Sequence, residues 1–244
     1  GYSVVLANSD EDLSKEQRYL EIAAAEQMAG VVLSPASAAD TRIDLLVERN
    51  IPEVTIDRRI RSSTLDSITV NNNRAAHEAV SHLLAAGCRR IGVVAGPPDI
   101  TTAAGRLAGY RAALKEAGVA LDPSLVVRGN FRVDGGREAT RKLLAVGPAP
   151  DGLFVTNNLM TVGALDALAE ADLRFPDDLL LVGFDDMSWA GLAPPLTLVE
   201  QPTYDIGRNA AEILLRRVGG EDFPTQRIVL PAALRVRRSS QRPT

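Results

Sequence analysis

The sequence predicts an α/β protein built on parallel sheets, and three features carry that expectation. Short runs rich in Val, Ile and Leu alternate with longer segments of helical period through nearly the whole chain. Gly87, Gly118 and Gly147 stand just past three of the helical segments, where a left-handed residue commonly caps a helix. After Val199 the alternation stops and single elements follow. That suits a chain that finishes one α/β lobe, crosses back to the first with one helix, and returns.

In chain order, the apolar run Ser3-Val4-Val5-Leu6-Ala7 predicts a first strand over 3–7, and the pattern from Leu13 predicts a helix over 13–28. Further apolar runs predict strands over 31–34, 54–57, 67–70, 91–95, 125–128, 152–156 and 179–184. Between them the helical period places helices over 74–86, 104–117, 136–145 and 160–171. Pro194-Pro195 then leads into an extended 196–199, Gln201-Pro202 into a helix over 204–218, and two extended pieces close the chain at 227–230 and 234–237. There is no low-complexity tract and no repeat of fixed period.

Composition narrows the function. The chain has 244 residues, enough for one large or two smaller domains, with 45% hydrophobic and 24% charged residues, as in an ordinary globular protein. No apolar run approaches the roughly 20 residues of a bilayer span. The single Cys88 excludes an internal disulfide, and two histidines with one thiol leave almost nothing for a transition-metal site. With 27 basic and 31 acidic residues the net charge is -4, without the basic excess of a nucleic-acid-binding surface. The chain begins inside an apolar run without Met, so it is expected to be trimmed at its N-terminus, and localisation cannot be read from a missing leader.

Asp185 and Asp186 follow the apolar run Leu179-Leu180-Leu181-Val182-Gly183-Phe184, which puts them at the carboxyl end of a parallel strand, where open α/β sheets bind ligands. A carboxylate there accepts from sugar hydroxyls; a pair of them also suggests acid–base hydrolysis, although adjacent residues on an extended chain point opposite ways. A helix cap is the plainer use of either. Arg106 lies in the first turns of a helix after a strand, where the helix dipole does not favour a cation, and a guanidinium there can grip neighbouring hydroxyls. Asn157 and Asn158 end another strand and offer both donor and acceptor, or cap the next helix. Phe131 and Trp189 are loop aromatics suited to stacking on a sugar ring, or simply to packing under their loops. His77 and His82 are five positions apart on one helix and form no zinc pair, and Cys88 has no base nearby. Arg235, Arg237, Arg238 and Arg242 read as the solvated end of a strand. Neither a dinucleotide fingerprint nor a phosphate loop occurs, so no cofactor is expected.

Taken together, Gly96-Pro97-Pro98, Arg106-Leu107-Ala108-Gly109-Tyr110, Val182-Gly183-Phe184-Asp185-Asp186, Pro194-Pro195-Leu196-Thr197 and Gln201-Pro202 with Gly207 resemble the LacI/GalR family of bacterial transcriptional regulators over essentially the whole chain. The segment from His82 to Ile91 is similar to the family's helix-to-strand linker, with Cys88 where a His is usual. The resemblance implies two flavodoxin-like lobes of the periplasmic binding protein-like type I kind, with parallel sheets, joined by a hinge of three crossing strands. It puts the crossings near Val70, Glu200 and Phe223, giving a first lobe of 1–70 and 201–223 and a second of 71–200 and 224–244. It also implies that Gly1-Tyr2 falls at the end of the first core helix, so that the first strand and helix of the core and the DNA-reading head are absent.

Carried over by position, the resemblance makes Arg106 and Asp185 the main polar ligand contacts. Asn157 is a further contact, Phe131 the stacking ring, and Thr102 a weaker contact in the same loop. Asn158 stands where the family usually has Asp. The expected protein is the effector-binding and dimerising core of a cytoplasmic regulator that senses a sugar or similar polar metabolite, without chemistry on it. Its operator would be read by a helix-turn-helix that these residues do not contain. The alternatives are a periplasmic sugar receptor of the same fold and an enzyme using Asp185 and Asp186. Ile206, Ala210, Ile213 and Leu214 recur at helical spacing and are expected in a dimer interface, or else against their own lobe.

Overall fold

A computed structural model describes residues 1–61, 64–186 and 195–242. The chain divides into two compact units, one of Gly1–Val70, Asp99–Thr101 and Pro202–Leu230, the other of Asn71–Pro98, Thr102–Gln201 and Pro231–Thr244.

The first unit opens with α1 (Leu13–Ala25), capped by Asp12, whose carboxylate accepts from the Ser14 and Lys15 amides at 2.8 and 3.1 Å. Then come β1 (Val31–Leu33), a single turn α2 (Asp44–Glu48), β2 (Glu53–Ile56) and β3 (Asp66–Val70). Leu20, Ala23 and Ala24 of α1 close on Leu46 and Ile51, so α2 exists because it supplies the apolar wall that α1 needs.

The second unit runs through α3 (Asn72–Ala85), β4 (Ile91–Ala95), α4 (Thr101–Glu116), β5 (Val126–Arg128), α5 (Val133–Leu144), β6 (Gly152–Val155), α6 (Asn158–Glu170), β7 (Leu180–Phe184) and β8 (Thr197–Glu200). The chain returns to the first unit with α7 (Thr203–Val218) and β9 (Arg227–Leu230), then ends in the second with β10 (Ala233–Arg235).

The first sheet has the order β1-β2-β3-β9 and is parallel throughout. The second has the order β10-β8-β7-β6-β4-β5, parallel except where β10 meets β8. Strands β4, β6 and β7 are buried on both faces, as continuous apolar runs in a covered parallel sheet must be. Tyr110 of α4 anchors its helix there by donating to the Ile91 carbonyl at 2.8 Å, and burial pushes its phenol up to about 12.

Three expectations are corrected, and a fourth meets geometry that bears on its two alternatives. Among the described residues, 3–7 form no strand and pair with no other segment, and Val4 and Leu6 are 91% and 94% exposed. A strand exists only through its ladder, and among the described residues β1 has a strand beside it only on its β2 side. Beside this run lies a groove of about 530 Å³ lined by Val5, Leu6, Ile22, Met28 and Val32. Second, β9 pairs with β3, so the chain leaves the first unit after Leu230, and the boundary expected near Phe223 falls too early. Third, Gly87 and Gly118 take the left-handed caps at φ 95° and 68°, whereas Gly147 does not and leads directly into Pro148.

The fourth concerns α7. Ile206, Ala210 and Ile213 are buried, and α7 lies on β1, β2 and β3 of its own unit. Leu214 is half-buried and rests on Gly30, where an added Cβ would come within 2.8 Å of its Cδ1. The stripe therefore faces its own sheet, because an amphipathic helix must cover the apolar face on which it is laid.

Candidate functional site

Strands β4, β6 and β7 are parallel neighbours, so their carboxyl ends open on one side of the second unit, where ligands bind in sheets of this kind. Arg106 reaches that place from α4. Its side chain is only 4% exposed, and a buried cation persists only when its donors are satisfied. Nε donates to Asn72 Oδ1 and Nη1 to the Thr156 carbonyl, both at 2.7 Å, and the guanidinium carbon lies 3.7 Å from the centre of the Phe184 ring. That ring gives the cation a negative π face in place of water.

Asp185 stands beside it, with Oδ2 4.0 Å from Arg106 Nη1. Its backbone is left-handed at φ 72°, a conformation held by the Asp185 amide donating to the Val199 carbonyl at 2.8 Å. Gln201 Nε2 donates to Asp185 Oδ1 at 2.5 Å. Cation and carboxylate are thus adjacent and separately braced, which suits an array of hydroxyls that both donate and accept.

Asn157 caps α6, its Oδ1 accepting from the Met160 amide at 2.9 Å, while its Nδ2 donates to the Phe131 carbonyl at 3.4 Å. One half of its amide is therefore committed to the helix. Phe131 is left-handed at φ 62° and buried, its ring lying so close over Gly96 that an added Cβ there would come within 2.2 Å. Thr102 is buried in the first turn of α4. Arg106 and Asn157 are thereby joined through Thr156, which carries the acceptor for Arg106 and precedes Asn157 in the chain; Asp185 stands beside Arg106, and Asn157 reaches the Phe131 carbonyl. Trp189 lies outside the described residues.

The other candidates are accounted for by packing. Asp186 is paired with Arg237, not aligned with Asp185. Asn158 Oδ1 accepts from the Leu159 amide at 2.8 Å. His77 meets Glu116 at 2.7 Å and His82 meets Ser240 at 2.7 Å, and burial holds His82 below the ordinary imidazole range. Cys88 is buried, and burial first, then the Asp151 charge, pushes its thiol up to about 12, far from a nucleophile at neutral pH. Among the described residues no group of three His, Cys, Asp or Glu could hold a metal, and no helix is long and apolar enough to cross a membrane.

Sequence reasoning missed Asn72, Phe184, Thr156 and Gln201 as parts of the site. Phe184 and Gln201 sat inside motifs read for other reasons. Asn72 had a signal of its own: the polar triplet Asn71-Asn72-Asn73 at the carboxyl end of β3.

A family profile for the periplasmic binding protein-like domain matches residues 80–240. The chain is 34% identical over 242 residues to the ribose operon repressor of Halalkalibacterium halodurans, covering 99% of this chain and 71% of that protein. It is 34% identical over 244 residues to the transcriptional repressor PurR of Haemophilus influenzae, covering 98% and 72%. The structure superposes on the transcriptional regulator CelR in its cellobiose complex with a TM-score of 0.86 at 34% identity, covering 93% of this chain and 70% of the other. The order of elements, the site at the strand ends and these likenesses agree: the chain belongs to the LacI/GalR family of transcriptional regulators and carries its periplasmic binding protein-like effector core.

Proposed function

We propose that this core senses a monosaccharide or closely related polar metabolite at the carboxyl ends of β4, β6 and β7. Arg106 and Asp185 make its main hydrogen bonds, with Asn157, Phe131 and Thr102 completing the contacts from the second unit. The observation that carries this reading is the buried guanidinium of Arg106, stacked on Phe184 with Asp185 4.0 Å away. A cation kept out of water beside a carboxylate is costly to maintain, and a polyol that donates to one and accepts from the other uses both. The ligand leaves unaltered, because its neighbours supply hydrogen bonds and no activated nucleophile.

The relatives named as a ribose operon repressor and a CelR–cellobiose complex favour a sugar as the ligand class. On this reading the protein works in the cytoplasm as a homodimer and binds operator DNA through a helix-turn-helix head outside these residues. Effector binding favours one arrangement of the units and thereby changes operator affinity, and operator changes effector affinity by the same factor.

The experiment is a thermal-shift panel of monosaccharides, D-ribose among them, followed by a mobility-shift titration of the whole regulator with the best stabiliser. A ligand that binds only the folded form raises the melting temperature by mass action. Operator affinity that ignores every stabilising sugar overturns the reading.

A further inference from the structure

Arg106 does not hold its own position. Its Nε–H is taken by Asn72 Oδ1 at 2.7 Å, and Asn72 is itself buried, the first residue of α3 and the second after the chain passes from the first unit into the second. The start of α3 is fixed from two directions. Asn71 Oδ1 caps it by accepting from the Arg74 amide at 3.0 Å, and α4 lies so close that a Cβ on Gly105 would come within 3.1 Å of the Asn72 Cβ. Asn72 Oδ1 is thus an acceptor on a rigid element, 34 positions away in sequence from the guanidinium it meets.

We propose that Asn72 is a positioning residue for effector binding: by accepting the Nε–H of Arg106 it fixes the guanidinium plane over Phe184 and turns its terminal Nη edge toward the ligand. The proposal rests on the reading of Arg106 as an effector contact. A guanidinium can meet a ligand side-on, through Nε–H and one Nη2–H, or end-on, through its two Nη groups. While Asn72 holds Nε–H, the side-on fork is closed. The Thr156 carbonyl steers Nη1, and the Phe184 ring covers one face. What Asn72 contributes is orientation, which a ligand otherwise has to supply at its own entropic cost.

The test has a ligand-free arm and a ligand arm. In the ligand-free protein, ¹⁵N–¹H spectra assign the Arg106 Nε–Hε resonance by its loss in Arg106→Ala. It is expected to exchange slowly with water, to lose that protection in Asn72→Leu, and to keep it in Asn72→Asp, which retains the acceptor. In the ligand arm, D-ribose affinity is measured by calorimetry for the wild type, Asn72→Leu, Arg106→Ala and the double variant. Asn72→Leu is expected to weaken D-ribose about tenfold, and to weaken it no further once Arg106 is gone. Asn72→Ala replaces Asn72→Leu if the latter does not fold.

Full affinity in Asn72→Leu, or an equal loss in the presence and absence of Arg106, overturns the proposal. So does an Arg106 Nε–Hε resonance indifferent to Asn72. If the wild type binds no sugar, the proposed effector class fails, and the resonance alone still decides whether Asn72 holds Arg106.

Discussion

Asp186 is engaged by Arg237, with Nη2 2.5 Å from Oδ2 and Nη1 3.3 Å from Oδ1, while its neighbour Asp185 is held by Gln201. The two adjacent carboxylates therefore have separate tasks. Arg237 also donates to the Leu196 carbonyl at 2.9 Å, so it fastens the tail beyond β10 both to the residues after β7 and to the segment before β8. Both side chains keep some solvent contact, which screens the pair. Arg237→Ala is expected to lower stability by about 1–2 kcal/mol and to leave effector affinity unchanged. Asp185→Asn should weaken effector roughly tenfold without loss of stability. Chemical denaturation and calorimetry on the two variants should give opposite patterns; the same pattern in both would reject this division.

Arg106→Ala removes the charge-assisted bonds to the ligand together with the cation that faces Asp185. Effector binding should weaken by about 1.5–3 kcal/mol, on the order of tenfold to a hundredfold. Arg106→Lys should restore little, because an ammonium cannot present the planar fork that Asn72, Thr156 and the Phe184 ring are arranged around. Isothermal titration settles it, and wild-type affinity in the alanine variant removes Arg106 from the site.

The elements that sequence reading recovered are those whose apolar pattern is long or continuous. The run Ile91-Gly92-Val93-Val94-Ala95 is buried on both faces and needs no partner information to be recognised. The single turn α2 shows no period because one turn does not contain one. The run 3–7 looked like a strand because its residues suit one, but pairing is a non-local property that the run cannot state. The site divided in the same way. Arg106 and Asp185 announced themselves as charges at strand ends, whereas Asn72 braces Arg106 from another helix, and only the fold brings them together. Asp186 and Asp185 are indistinguishable in sequence, and it is Arg237, 51 positions away, that separates them.

Leu214 tests the assignment of α7. Its side chain fills the space above Gly30, where even a methyl group on the glycine would crowd it. An arginine there has to carry its charge into the contact with the sheet or open the helix away from it. Leu214→Arg is expected to cost about 1–3 kcal/mol of stability in the first unit. Leu215→Arg, at the half-exposed next position, should cost little in the isolated chain. Thermal melts of the two variants decide between a core and a surface role, and a stable Leu214→Arg protein of altered oligomeric state by ultracentrifugation would return Leu214 to an interface.

The last prediction concerns pH. Glu53 begins β2 beside Val31 of β1, and burial raises its carboxyl to about 7. In the unfolded chain the same group titrates near 4.3. Between those values the folded state keeps a proton that the unfolded state has released, so stability falls as pH rises through the window. The favourable contribution is complete below the unfolded value and gone above about 7. Glu53→Gln keeps the shape of the protonated carboxyl and removes its titration. The variant should match the wild type at the acid end of the window, exceed it progressively as pH rises, and hold a constant advantage once the wild-type carboxylate is ionised. Urea midpoints for both proteins across the window measure that difference directly. Two parallel profiles would mean that Glu53 is solvated in the folded state and titrates as it does in the unfolded chain.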